Sequence, residues 1–278
     1  MHPSQYLPIV RRALAEDLGL AGDISAEAAV PKDAISSARL VARAAGRIAG
    51  MEVAGAVFHE VDPAVEVAWE AHDGDQVEAG GRLGRVSGRA RSILTAERTA
   101  LNLLGRLSGV ATATARLVAA IEGTGVKVAD TRKTTPGLRV LEKYAVRMGG
   151  GINHRFGLFD AVMIKDNHIV AAGGIRPSVE AVRARVGHMV KIEVEVTTLE
   201  QLAELLEVGA DVVLLDNMDV ATLERAVQMV GGRMLTEASG GINLETVRMV
   251  AETGVDIISA GSITHSAPVL DVALDFQS

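Results

Sequence analysis

Apolar residues at Leu7, Val10, Leu14 and Leu18 recur at helical spacing with charges between them, which predicts an amphipathic opening helix over 6–18, stopped by Gly19 and Gly22. From about Ala38 to Val86 the pattern shortens. Ala38–Arg43, Val65–Trp69 and Leu83–Val86 read as short strands between glycine turns, so this part predicts a helix-and-sheet domain. Ser92 to about Leu107 and Ala111 to Ile121 read as two helices, with Ser92 as N-cap and Gly105 and Gly109 around the join. The join is the expected domain junction.

Beyond it the pattern alternates between strand-like runs and helical segments. The runs are Val126–Ala129, Ala161–Ile164, Lys191–Val196, Asp211–Leu215, Met234–Glu237 and Asp256–Ser259. Six such strands with helices between them predict a parallel sheet closed into a barrel, or nearly so. In that architecture the carboxyl-terminal strand ends converge on one face, where active sites are assembled from different strands. Those ends carry Asp130 to Lys133, Lys165-Asp166, Glu195, Asp216-Asn217, Glu237 to Gly241, and Ala260-Gly261-Ser262.

Alternation within the run 191–196 places Lys191, Glu193 and Glu195 on one face and Ile192, Val194 and Val196 on the other. The apolar face must pack on helices, so the charged face points into the barrel. Glu195, nearest the strand end, is the better catalytic candidate; Glu193 suits a structural ion pair equally well. Asp216 ends an almost wholly apolar strand, where a carboxylate can hold magnesium or ribose hydroxyls, or instead cap the next helix. Ser239-Gly240-Gly241, and Gly261-Ser262 with His265, suit a phosphate monoester on consecutive barrel strands.

Composition narrows the function classes. The 278 residues are 48% hydrophobic, with no cysteine and a formal net charge of −7. Disulfides, thiolate nucleophiles and cysteine-ligated metals are excluded, and a reducing cytoplasm is the expected compartment. No run approaches the length of a membrane span, and an acidic chain with 3% aromatic residues is a poor general nucleic-acid binder. Within this acidic background the stretch from Thr131 to His168 reverses sign. Arg132, Lys133, Arg139, Lys143, Arg147, Arg155 and Lys165 face only Glu142, Asp160 and Asp166, beside glycine-rich turns. Such a concentration of cations prepares a site for a multiply charged anion. In the helix after Pro136, Leu138, Leu141, Ala145 and Met148 form the buried stripe, and Arg139, Lys143 and Arg147 read as a solvated face. Arg132, Lys133, His154, Arg155 and Lys165, at strand ends and in the glycine loop, are the ligand-facing group.

Two resemblances follow. The turn from Asp73 to Gly80 is similar to that of lipoyl and biotinyl carrier domains, but no lysine occurs between Lys32 and Lys127, so it reads as a hairpin turn in a small sheet. The second covers nearly the whole chain. Thr131-Arg132-Lys133-Thr134-Thr135-Pro136-Gly137-Leu138-Arg139, Gly149 to Arg155, Ile164-Lys165-Asp166-Asn167-His168-Ile169, Glu193-Val194-Glu195-Val196, Leu215-Asp216-Asn217 and Ala96-Glu97-Arg98-Thr99-Ala100-Leu101-Asn102 resemble, in order and spacing, the quinolinate phosphoribosyltransferases. A molybdenum-associated relative shares the Arg-Lys-Thr and His-Arg motifs but departs around Lys165 to His168, which this chain keeps in the quinolinate form. A non-catalytic phosphate sensor would need neither Glu195 nor Asp216.

The resemblance implies an α/β fold: an amino-terminal α/β sandwich domain over 1–107, completed by 267–278, and an incomplete parallel α/β barrel over 108–266. It also implies a cytoplasmic homodimer with shared active sites. Quinolinate would be held by Thr131, Arg132, His154, Arg155 and Lys165, with Arg98 reaching in from the partner subunit. Phosphoribosyl pyrophosphate would meet Lys133, Lys165, Glu195 and Asp216, with Mg2+ shared between its pyrophosphate and the two carboxylates. Its 5-phosphate would rest on Ser239, Gly240, Gly241, Ala260, Gly261 and His265. Lys133, Lys165, Glu195 and Asp216 are the implied catalytic set.

Overall fold

The six apolar runs of the second half all form strands, and all pair in parallel. Lys127–Ala129, Ile257–Ser259, Leu235–Ser239, Val212–Asp216, Ile192–Val196 and Val162–Ile164 lie side by side in that order in the computed structural model, which describes residues 1–276. Among the described residues the two outer strands do not pair with each other, so the sheet is an incomplete barrel. Crossover helices make the parallel order possible. They are started by local chemistry: the Thr198 hydroxyl accepts from the Gln201 backbone N–H at the head of Leu199–Val208 (3.2 Å), and Asp219 accepts from the Thr222 N–H ahead of Val220–Val230 (2.7 Å). The helix after Asn217 is therefore capped by Asp219, which releases Asp216 from that role.

Register then stacks the interior. Glu195 pairs with Leu214 and Leu214 with Glu237; Asp216 pairs with Ser239 and Ser239 with Ser259. Register neighbours in a sheet share a face, so these side chains line one wall. Ile192, Val194 and Val196 point the other way and are buried. Lys191 departs from the expected inward face: it precedes the strand, is exposed, and its Nζ donates to Asp211 at 2.6 Å.

The chain forms two compact units. Arg116–Lys133 and Gly151–Ile263 make the parallel-sheet unit; Met1–Ala115, Thr134–Gly150 and Thr264–Ser278 make the other. In the latter, an antiparallel sheet runs in the order Val272–Phe276, Ile35–Ala42, Arg82–Arg89, Glu66–Trp69. Its first strand comes from the end of the chain, with Leu274 opposite Leu40. Residues 277 and 278, within the segment expected to complete this sheet, lie outside the described residues. The turn at Gln76–Val77 pairs with Gly46–Arg47 as a small antiparallel ribbon.

Two expectations fail here for one reason, contact with distant segments. The two expected helices are one, Ala90–Ala120, and Ser92 lies inside it rather than at its cap. Gly105 and Gly109 do not break this helix, because they let the carboxyl-terminal segment cross it. A Cβ at Gly109 would sit 2.0 Å from the Pro268 carbonyl oxygen, and Gly105 accepts a backbone hydrogen bond from Leu270 (3.0 Å). Likewise the helix Arg139–Met148 does not present three solvated cations. Arg147 is exposed, but Lys143 is 1% exposed beside a wholly buried Glu142. Glu142 accepts from Arg106 Nη2 (2.7 Å) and from the Thr135 N–H (2.9 Å) and hydroxyl (2.7 Å), a polar knot inside this unit.

Candidate active site

At the carboxyl-terminal ends of the parallel strands lies a cavity of about 570 Å3. Thr131, Arg132 and Lys133 reach it from the first strand, His154 and Arg155 from the glycine loop, Lys165 and Glu195 from the next two strands. Asp216, Ser239, Gly240 and Gly241 complete the group that the sequence pointed to. Arg98, Ala260, Gly261 and His265 are not among the residues lining it. Arg98 is exposed on the helix Ala90–Ala120, Ala260 is buried with its N–H donating to Ala129, and His265 is exposed with Nδ1 2.5 Å from the Ser266 hydroxyl.

The cationic wall is built to need an anion. Arg155 is part-buried; its Nη1 donates to the Ala161 carbonyl (3.2 Å), and its Nε is buried without a hydrogen-bond partner among the described residues. Burial first, and the neighbouring Arg132 guanidinium second, lower its affinity for its proton, with Glu193 and Asp160 opposing. A partly buried guanidinium whose charge is opposed by a second one is relieved by a carboxylate, which can match a guanidinium fork in two hydrogen bonds. Beside them the Lys165 ammonium donates to Glu195 Oε2. The Thr131 hydroxyl accepts from the Lys133 N–H (3.0 Å), tightening the Thr-Arg-Lys turn.

The opposite wall is glycine and carboxylate. Asn217 has φ 54°, the one non-glycine residue with positive φ among those described, and its amide donates to Asp216 Oδ2 at 2.7 Å. Its N–H donates to the Ser239 carbonyl at 2.9 Å, which ties two strand ends together. Gly240 must be glycine: at φ +99° a Cβ would lie 2.1 Å from Asn217 Oδ1. Gly241, at φ +63°, faces open space. Small residues with exposed backbone N–H groups suit a phosphate oxygen.

Three acidic residues that the strand pattern turned toward this face were given no substrate role: Asp130 and Glu193 are buried outside the cavity lining, and Glu237 lines it. Asp130 accepts from the His154 N–H (2.9 Å) and the Asn153 amide (2.7 Å). His154 Nε2 is 2.9 Å from Glu193 Oε2 and 3.7 Å from Glu237 Oε1. Glu237 is 3% exposed; burial first and Glu193 second push its carboxyl up to about 7. The alternation argument that turned Glu193 inward applies equally to Glu237, which the strand-end reading places on the same face without giving it a role.

Comparison with known proteins agrees with this geometry along the whole chain. Residues 23–108 match the family model of the quinolinate phosphoribosyl transferase N-terminal domain, and residues 110–275 match that of the C-terminal domain. A Nicotiana glauca protein named quinolinate phosphoribosyltransferase [decarboxylating] 2, mitochondrial, is 42% identical over 100% of this chain and 84% of its own length. A Bacillus subtilis protein named probable nicotinate-nucleotide pyrophosphorylase [carboxylating] is 42% identical over 99% of this chain and 94% of its own. The solved structure of the nicotinate-nucleotide pyrophosphorylase from Francisella tularensis superposes with a TM-score of 0.95 at 40% identity, covering 100% of this chain and 98% of that one. With both domain models matched and relatives above 40% identity end to end, the chain belongs to the quinolinate phosphoribosyl transferase family.

Proposed function

We propose that the cavity transfers phosphoribosyl from phosphoribosyl pyrophosphate to quinolinate with decarboxylation, giving nicotinate mononucleotide, pyrophosphate and carbon dioxide for NAD synthesis. One observation carries the reading of the substrate: Arg132, Arg155 and Lys165 line one cavity, and burial and Arg132 both oppose the Arg155 charge, an arrangement that suits a ligand with more than one carboxylate. His154 belongs to this wall, and Thr131 shapes the turn that presents Arg132.

The chemistry follows from the charges. The pyridine nitrogen brings its own lone pair to the anomeric carbon as the bond to pyrophosphate breaks, so no general base is required. Positive charge grows on the ribose in the transition state, and Glu195 and Asp216 stabilise it and orient the hydroxyls. Lys133 and Lys165 attract the departing pyrophosphate. Once ribosylated the ring nitrogen is cationic, the adjacent carboxylate leaves as carbon dioxide with its bonding pair drawn into the ring, and the carbon takes a proton from solvent. Ser239, Gly240 and Gly241 hold the 5-phosphate.

Glu195 and Asp216 also fit magnesium, which favours one or two carboxylates shared with substrate phosphates over an all-protein cage. When bound, the ion neutralises charge on the leaving pyrophosphate. The proposal includes a homodimer in which Arg98, exposed on its helix, completes the partner subunit's site. It also places the chain in the cytoplasm; no described helix is long and apolar enough to cross a membrane, and the Bacillus relative is bacterial.

The test is product release from purified protein given phosphoribosyl pyrophosphate and magnesium, with quinolinate or nicotinate as acceptor. Pyrophosphate and carbon dioxide released with quinolinate alone is the expected result. Release with nicotinate but not quinolinate would mean the charge of the wall has been misread.

A further inference from the structure

His154 stands in the cationic wall, and both of its ring nitrogens meet groups of the protein. The Arg155 N–H donates to His154 Nδ1 at 2.8 Å. A ring nitrogen that accepts carries no proton, so the proton of the neutral imidazole is on Nε2. That nitrogen faces Glu193 Oε2 at 2.9 Å, a charge-assisted hydrogen bond, while Glu237 Oε1 at 3.7 Å is beyond reach. Both ring nitrogens are thereby engaged within the protein. Glu193 is 6% exposed and does not line the main cavity.

We propose that Glu193 is a positioning residue for the acceptor substrate, acting through His154 on Arg155. The inference rests on the proposed reading of the cavity as a quinolinate site. The chain of contacts is continuous. Glu193 fixes the imidazole, the imidazole fixes the N–H of Arg155, and Asp130 clamps the same turn through the His154 N–H and the Asn153 side chain. The negative charge of Glu193 also supports Arg155 directly, against burial and Arg132. Removing it loosens and weakens the guanidinium that faces the acceptor. The wall holding phosphoribosyl pyrophosphate, built on Asp216, Ser239 and Gly240, has no part in this chain.

Glu237 is also buried and lines the cavity, but it makes no hydrogen bond to His154; like Glu193, it has one carboxylate oxygen without a hydrogen-bond partner among the described residues.

Two measurements test the proposal. Nitrogen-15 NMR of histidine-labelled wild-type protein is expected to show His154 with Nε2 protonated and Nδ1 bare. Steady-state kinetics of Glu193→Gln are expected to raise the KM for quinolinate by about tenfold, the scale of one lost charge-assisted contact, with the KM for phosphoribosyl pyrophosphate within about twofold of wild type. A protonated Nδ1, an unmoved quinolinate KM in Glu193→Gln, or both KM values rising together would overturn the proposal. Wild-type protein that does not turn over quinolinate would sink the substrate reading, and the NMR signal would then report on the His154 arrangement alone.

Discussion

Glu237→Gln is expected to stabilise the parallel-sheet unit at about pH 8 and to leave it unchanged near pH 4. Glu237 is 3% exposed, and burial and Glu193, opposed by His154 and Ser259, raise its carboxyl from 4.5 to about 7. The folded protein thus holds this proton more tightly than the unfolded chain does. The stability contributed by the protonated form is complete below about pH 4.5 and is lost as pH rises through 7, above which the fold must carry a buried negative charge. The gap between 4.5 and about 7, at about 1.4 kcal/mol for each pH unit, amounts to about 3 kcal/mol. Glutamine has the shape of the protonated acid and cannot ionise, so the variant escapes that loss.

The assay is urea denaturation of wild type and Glu237→Gln across the range from about pH 5 to 8.5, taking the difference in unfolding free energy at each pH. Titrating groups remote from Glu237 cancel in the difference, whereas His154 and Glu193, which interact with it, contribute to the measured change. The advantage of the variant should grow from nothing to about 3 kcal/mol over this range, or roughly 6–12 °C in melting temperature for a unit of this size. A difference that does not change with pH would refute the assignment of the proton to Glu237. A variant less stable than wild type at pH 8 would mean that the ionised carboxylate is compensated by its neighbours.

Other perturbations probe the remaining walls. Gly240→Ala places a methyl group 2.1 Å from Asn217 Oδ1 in a left-handed conformation, and is expected to cost about 2–4 kcal/mol and to raise the KM for phosphoribosyl pyrophosphate; Asn217→Gly in the same chain should recover part of the loss, read by thermal melting and kinetics. Removing magnesium with EDTA should abolish pyrophosphate release, and readdition should restore it, while the melting temperature without substrate stays put, as expected of an ion that binds together with pyrophosphate. Arg98→Ala should abolish turnover without unfolding the protein, and, if the proposed homodimer shares its sites, dimers mixed from Arg98→Ala and Lys165→Ala chains should regain activity through one intact site each. Mixed dimers with no activity would remove the shared-site proposal.

What could be read from the sequence depended on how local the cause was. The six parallel strands were legible because each is a short apolar run between turns, and the cavity's cations because strand ends in such a sheet converge. Lys143 was not legible as buried, and the join at Gly105 and Gly109 was not legible as one helix. Both outcomes are decided by segments far along the chain: Glu142, beside Lys143, binds Arg106, and the two glycines are crossed by residues 268–270. A glycine read by itself is a helix breaker. The same glycine with a backbone passing close to its Cα is the residue that allows the contact.

The pair Glu193 and Glu195 shows the limit most clearly. Alternation put both on the inner face, and the structure agrees, yet the two carboxylates do different things two residues apart. Glu195 reaches the cavity and meets Lys165; Glu193, one pleat deeper, meets His154 and is sealed from the cavity. Depth along the strand, not the identity of the face, separates a group that can touch substrate from one that can only orient its neighbours. A period of two residues determines the face but not the depth: Glu195 lies level with Leu214, which lines the cavity, while Glu193 lies one pleat earlier, level with Val212 and with Met163, which still lines it, and turns its carboxylate to His154. The equal weighing of structural and catalytic roles for Glu193 follows from that missing coordinate, and its charge acts on the site through His154 and Arg155.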